Sequence, residues 1–242
     1  MLRRLRLSNF KSARDLSVRL APLTVLAGLN GSGKSTVLQA LALVAQSYGG
    51  STSSQGLQLR GRVLNLGRSE DVHFEHAKSA ELRFEITTDV GCAVISATAA
   101  DGQDTLASSL SGEVAAVLDQ FARGFQYVQA DRLTPASLYA RASTPDQTAE
   151  WLGSRGEFTV DFLRRNGHNR VPSKRLVPTD WQDVDADLVK LIAPTPTLDD
   201  QTAAWLQLLS PGVRLLTKNV DLADAVALRF QYTSTGVDST SK

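Results

Sequence analysis

The chain has 242 residues, of which 42% are apolar and 21% are charged, with a formal net charge of +1. Such a balance is typical of a globular protein with one large or two small domains, and any nucleic-acid surface has to be a local patch. Its one cysteine, Cys92, excludes a disulfide within the chain. We expect a cytoplasmic protein that does not contact a membrane, because no stretch is long and apolar enough to be a signal peptide or a span.

The first predicted elements are two antiparallel strands, a buried strand and a helix. Apolar and basic residues alternate over residues 2–8, and apolar residues alternate again over 16–20. Residues 23–27 form a short apolar run, which is typical of a strand covered on both faces. Residues 35–46 carry apolar side chains at helical spacing.

Between this run and the helix lies a stretch that fits G-x-x-x-x-G-K-[ST] at every fixed position, Gly28-Leu29-Asn30-Gly31-Ser32-Gly33-Lys34-Ser35-Thr36. Glycines let successive N–H groups point inward and hold a phosphate at a helix N-terminus. Lys34 is predicted to reach the β- and γ-phosphates of ATP and to be catalytic. Ser35 is the expected Mg²⁺ ligand. The predicted nucleotide contacts are Asn30, Gly31, Ser32, Gly33, Lys34, Ser35 and Thr36. The alternative is a glycine-rich turn that binds nothing.

The rest of the chain is divided into a core, an irregular segment and a returning strand. The clearest further elements are strands 81–87, 92–97 and 226–232 and helices 112–123 and 199–209. Residues 125–128 suit a short buried strand. We predict a nucleotide-binding core over 1–132, an irregular insertion or lid over 133–198, which holds six of the eight prolines, and a helix and core strand over 199–242.

The loop alone does not choose between kinase, GTPase and ATPase, but the stretch from Leu5 to Thr36 resembles the opening of ABC-type ATPase heads in the SMC-like group. The resemblance implies an α/β P-loop NTPase with an N-terminal antiparallel β subdomain over the adenine side. It places Phe10 and Lys11 near the base and the phosphates. For Phe10 the alternative is simple packing at the end of a strand.

A closer resemblance is to stand-alone AAA-type ATPases of bacterial anti-phage defence and abortive infection, including the Septu type and relatives of the overcoming-lysogenization nucleases. It is carried by residues 21–46, by Tyr127-Val128-Gln129-Ala130-Asp131-Arg132-Leu133-Thr134-Pro135 and by Gly153-Ser154-Arg155-Gly156-Glu157-Phe158-Thr159. The resemblance implies a homodimer with ATP sandwiched between two heads, and an effector nuclease or other partner subunit.

An ABC-type site also needs a signature motif and a Walker B strand that ends in paired acids. Residues 110–113 resemble a signature and 125–131 resemble Walker B, but Gln126 interrupts the apolar run and Arg132 stands where the second acid is needed. Ser111 is instead predicted to cap a helix. In the family both motifs follow a strand such as 225–232, so we expect the chain to stop before them.

Two further candidates are predicted with open alternatives. Gln129 suits a Q-loop that senses Mg²⁺ and the γ-phosphate, with Gln126 as competitor. A basic run is predicted to contact DNA or RNA, the alternative being a solvated loop. Its members are Arg164, Arg165, His168, Arg170, Lys174 and Arg175.

The sequence therefore predicts the ATP–Mg²⁺-binding part of an ABC/SMC-like ATPase that couples ATP to a nucleic-acid-directed defence effector. The alternative is a non-hydrolysing ATP-binding sensor or scaffold subunit. A small-molecule P-loop kinase is disfavoured, because those folds do not open with an antiparallel hairpin.

Overall fold

The computed structural model describes residues 1–49, 56–122, 124–131, 133–143, 151–178, 180 and 185–232. The contacts divide the chain into two compact units, 1–127 and 128–242. Among the described helices, none has a stretch long and apolar enough to cross a bilayer.

The first unit is built on a six-stranded sheet with the order β2-β1-β4-β5-β6-β3, in which every neighbouring pair is antiparallel. The strands are β1 Leu2–Phe10, β2 Ala13–Arg19, β3 Gly56–Gln58, β4 Glu81–Thr88, β5 Gly91–Thr98 and β6 Thr105–Gly112. The helices are α1 Lys34–Tyr48, α2 Ser69–Val72 and α3 Val114–Ala122. The predicted N-terminal antiparallel subdomain is therefore present.

Strict alternation explains why the central strands bury one face. In β4, Leu82, Phe84 and Ile86 are fully buried, and Phe84 lies opposite Ile95 of β5. Because successive side chains of a strand point to opposite faces, the charged Arg83 lies on the other face. Helices α1 and α3 pack against this sheet and complete the core.

The predicted buried strand over residues 23–27 is wrong. These residues form no strand, and the side chains of Leu23 and Val25 are 82% and 78% exposed. The chain leaves β2 through a turn in which the Ala21 amide donates to the Thr24 hydroxyl, at 3.0 Å. An apolar run becomes a strand only where neighbouring backbone supplies hydrogen bonds, and no described strand pairs with this one.

The cap assigned to Ser111 is also wrong. Ser111 belongs to β6, where it pairs with Val94, and the helix begins later, at Val114. The Glu113 carboxylate instead accepts the Cys92 amide at 3.0 Å. The sequence did not reveal β6, because small and polar residues weaken its alternation.

The second unit holds a three-stranded antiparallel sheet with the order β7-β9-β8. Its strands are β7 Leu138–Ala140, β8 Val213–Val220 and β9 Ala225–Tyr232, and its helices are α4 Thr159–Asn166, α5 Ala186–Ile192 and α6 Leu198–Leu206. Segments 133–198 and 199–242, which the sequence analysis separated, both lie in this unit. The buried strand predicted for 125–128 is absent, and Val128 is exposed.

Candidate nucleotide-binding site

The glycine-rich loop has a backbone that only glycine adopts without strain. Gly31 and Gly33 have φ angles of 80° and 85°, in the left-handed region that disfavours other residues. Gly33 is the N-cap of α1, and no side chain caps this helix end. The amides of the first turn are therefore open to an anion, which the helix dipole also favours.

Lys34 folds back over this loop. Its ammonium donates hydrogen bonds to the carbonyl oxygens of Gly28 at 2.8 Å and Leu29 at 2.6 Å. A phosphate oxygen carries negative charge, so it would be a stronger acceptor for the ammonium than these neutral carbonyls. The lysine therefore lies where it could pass from the loop carbonyls to a bound phosphate.

The β1–β2 turn is joined to the phosphate loop by Ser12. The hydroxyls of Ser12 and Thr36 lie 2.9 Å apart, and a Cβ at Gly33 would lie 3.1 Å from the Ser12 hydroxyl. Thr36 is buried, so this contact fixes the start of α1 against the turn. Ser12 was not among the predicted site residues. The sequence offers one indication of its role, which is its position next to Lys11.

A cavity of about 300 Å³ lies where the turn, the loop and α1 meet. It is lined by Lys11, Ser12, Asn30, Gly31, Gly33, Lys34, Ser35, Thr36 and Gln39. The structure thus brings Lys11 together with most of the predicted loop residues and adds Gln39, which lies one helical turn beyond Ser35. The described lining contains no carboxylate.

A second cavity, of about 260 Å³, shares Lys34 and Gly33 with the first and has apolar walls. Leu16 and Val18 of β2 form one wall, and Val25 lies in the segment before the loop. Ser32 of the predicted set lines this cavity. The loop therefore has a polar side, which faces the first cavity, and an apolar side towards β2.

The prediction that Phe10 contacts the base is corrected. Its side chain is fully buried, and its ring packs edge-on against Phe84 with centroids 5.1 Å apart. A ring enclosed in the core cannot stack on a ligand, so Phe10 is a packing residue.

Lys11, the next residue, has a φ of 51°, and its side chain turns away from the core. Burial lowers the pKa of Lys11 from its ordinary value, against the opposing effect of the Asp71 carboxylate.

Gln129 belongs to the second unit, where its amide donates to the Ser154 carbonyl at 2.8 Å. Its predicted Q-loop and Mg²⁺ roles stay predictions.

Residues 125–131 form no strand, and the Asp131 side chain is 79% exposed and pairs with Arg155 at 3.4 Å. This arrangement does not resemble the buried end of a Walker B strand. Arg132 lies outside the described residues.

The basic run does not form one surface. Arg164 and Arg165 are bound to the carboxylate of Asp161 at 3.0 and 2.8 Å, and that side chain is only 1% exposed. Both arginines therefore pair with a buried carboxylate of their own helix, α4, which disfavours their assignment as nucleic-acid contacts. Arg170, Lys174 and Arg175 are exposed.

Parts of the chain are similar in sequence to known proteins. A 77-residue segment is 42% identical to a DNA double-strand break repair Rad50 ATPase of Halobacterium salinarum, and a 44-residue segment is 48% identical to an OLD nuclease of Thermus scotoductus. These segments cover 31% and 18% of this chain, and each covers 8% of the relative. Residues 1–127, more than half of the chain, match the model of the AAA ATPase domain. The chain therefore belongs to the AAA ATPase domain family.

Proposed function

We propose that the chain binds ATP with Mg²⁺ in the cavity between the β1–β2 turn and α1. Lys34 and the loop amides would hold the β- and γ-phosphates, and the Ser35 hydroxyl would be a Mg²⁺ ligand. Lys11 would add positive charge from the turn. The convergence of the turn and the loop on one cavity carries this proposal, and membership of an ATPase family supports it.

The wider role that we propose is the ATP-dependent part of a nucleic-acid-directed machine, of the kind that acts in phage defence. Two heads would enclose ATP in a homodimer and act on an effector nuclease or another subunit. The names of the two relatives, a nuclease and a DNA repair ATPase, support a nucleic-acid connection.

A second candidate is an ATP-binding sensor or scaffold subunit that does not hydrolyse. It is favoured by the absence of a carboxylate among the described residues that line either cavity. Hydrolysis requires a group that orients the attacking water, whereas binding needs only the phosphate cradle.

Calorimetry with ATP–Mg²⁺ and the Lys34→Ala variant tests the binding site. Removing the ammonium should lower affinity about ten- to hundredfold, because hydrogen bonds to charged groups contribute about 1.5–3 kcal/mol. Lys78→Ala is the matched control, since Lys78 is an exposed lysine of the same unit outside both cavities. Equal affinity in wild type and Lys34→Ala would show that the loop is not the site.

A further inference from the structure

A groove of about 600 Å³ lies in the second unit, between α4, α6 and the segment 169–175. Its volume is in the range of small-ligand sites. All of its lining residues belong to the second unit, and none of them belongs to the phosphate loop.

One wall of this groove is fixed by backbone hydrogen bonds. The Val171 amide donates to the Pro196 carbonyl at 2.8 Å, and the Leu198 amide donates to the Asn169 carbonyl at 2.9 Å. Arg170 forms an isolated bridge with Thr197. The chain then turns at Pro172, whose carbonyl accepts the Arg175 amide at 2.8 Å. This wall is therefore formed before any ligand binds, which lowers the entropic cost of binding.

The groove also offers an aromatic surface. Trp205 of α6 lines it and is 39% exposed, although tryptophan is highly buried on average. Its indole N–H donates to the Arg175 carbonyl at 3.4 Å, so the ring is tethered to the rim. Phe162 of α4 adds a second aromatic side chain to the lining.

The charge of the groove is positive. Arg170 and Arg175 line it, and the exposed Lys174 lies between them in sequence. The described lining contains no acidic residue, and no described carboxylate lies within ion-pairing distance of these three cations. Arg164 and Arg165 differ, because both already pair with the Asp161 carboxylate.

We propose that this groove binds single-stranded nucleic acid, with a base stacked on Trp205 and backbone phosphates at Arg170 and Arg175. Stacking platforms combined with cationic grooves recognise single strands in this way. A duplex hides its base faces within its own stack, and an acidic peptide offers charge without a planar face. The inference deepens the nucleic-acid part of the proposed function.

Fluorescence anisotropy with labelled oligothymidine and oligouridine, at several salt concentrations, tests the groove and separates DNA from RNA. Trp205→Ala should weaken binding of the preferred strand about tenfold or more, and Trp205→Phe should retain more affinity. Arg170→Ala and Arg175→Ala should each lower the logarithmic salt slope by about 0.7, because each lost phosphate contact releases fewer counterions.

Arg229→Ala is the matched control, since Arg229 is an exposed cation of the same unit outside the groove, and it should leave affinity unchanged. ATP affinity, measured in parallel, should persist in Trp205→Ala, while Lys34→Ala should still bind the oligonucleotide. These two results separate failure of the groove from failure of the ATP site.

Three results would each overturn the proposal. The first is an equal affinity for a duplex of the same length. The second is wild-type affinity for the single strand in both Trp205→Ala and Trp205→Phe. The third is binding of poly-glutamate that depends on Trp205 in the same way. The last result would identify the groove as an acidic-peptide site.

Discussion

Neighbouring residues at the end of β1 have opposite surroundings. Phe10 points into the core and packs on Phe84, whereas Lys11 adopts a left-handed turn conformation and lines the cavity. The alternation that buries Leu5 and Leu7 breaks at Asn9, whose φ of 56° lies in the left-handed region, and Phe10 returns to the buried face. The tight turn that follows explains the position of Lys11. Of the two turn residues that the family resemblance placed at the nucleotide, only Lys11 has the geometry to contact it.

Phe10→Leu should therefore leave ATP affinity unchanged while it lowers the thermal midpoint. Leucine keeps much of the buried apolar volume, but it loses the edge-on ring contact. Lys11→Met, which removes the charge from the cavity wall, should lower ATP affinity with little change in the midpoint. Calorimetry and thermal unfolding measure both effects. A loss of ATP affinity in Phe10→Leu at an unchanged midpoint would restore Phe10 as a ligand contact.

At the scale of elements, α4 is held by a buried carboxylate. Asp161 accepts hydrogen bonds from Arg164, from Arg165 and from the Ala142 amide. Asp161→Asn should destabilise the protein by about 3 kcal/mol, since it leaves two guanidinium groups without their counter-ion. Urea unfolding measures this loss. Asp187→Asn is the control, because Asp187 is an exposed aspartate whose ion pair with Lys190 lies in solvent. A similar small effect of both variants would contradict the structural role of Asp161.

The same carboxylate predicts a pH dependence. Burial opposes ionisation of Asp161, but the hydrogen bonds from Arg165, the Ala142 amide and Arg164 outweigh it and hold the pKa below its ordinary value. A lowered folded-state pKa stabilises the protein above the unfolded pKa of about 3.9, and the effect is lost as pH falls through the folded value. Wild type should therefore lose stability relative to Asp161→Asn below about pH 4.

The elements that could be predicted from the sequence are those whose own residues carry a strong period. Alternation in β1 and β4, and the helical spacing of α1, identified these elements, and the glycine-rich pattern placed the loop directly before α1. These features depend on local geometry and on burial of one face.

The errors arose where a structure depends on partners distant in sequence. Residues 23–27 and 125–128 have the composition of buried strands, but no described neighbour supplies their hydrogen bonds. Conversely, β6 is a strand because β5 and β3 flank it, although its own sequence is rich in serine. Ser12 was missed because only the folded turn brings it to the loop. Gln39 lies on α1, one helical turn beyond Ser35, so its helical spacing is the signal that could have found it.

At the scale of the whole molecule, the family match ends where the first compact unit ends, at residue 127. The described lining of the two cavities at the loop includes Lys34, which would hold phosphate in the proposed site, but no carboxylate that could orient water. Binding and hydrolysis should therefore separate in this chain.

We predict that the purified chain binds ATP but turns it over near the background rate. The described lining of the two cavities holds no carboxylate to activate water, and a signature motif is expected from a partner. The turnover rate should therefore lie on the order of a thousandfold or more below that of a complete ATPase site. Asp131→Asn should not change the residual rate, because Asp131 is an exposed partner of Arg155. A phosphate-release assay measures turnover. Steady turnover that Asp131→Asn abolishes would identify Asp131 as a Walker B residue.

Hydrogen–deuterium exchange with and without ATP–Mg²⁺ tests the location of the nucleotide most directly, because it reports on the loop amides themselves. Exchange over residues 28–37 and at the Lys11 turn should slow when ATP–Mg²⁺ is added, with no such change in Lys34→Ala. Unchanged exchange over 28–37 at an ATP concentration that saturates binding would contradict the proposed site, since the nucleotide would then be bound elsewhere.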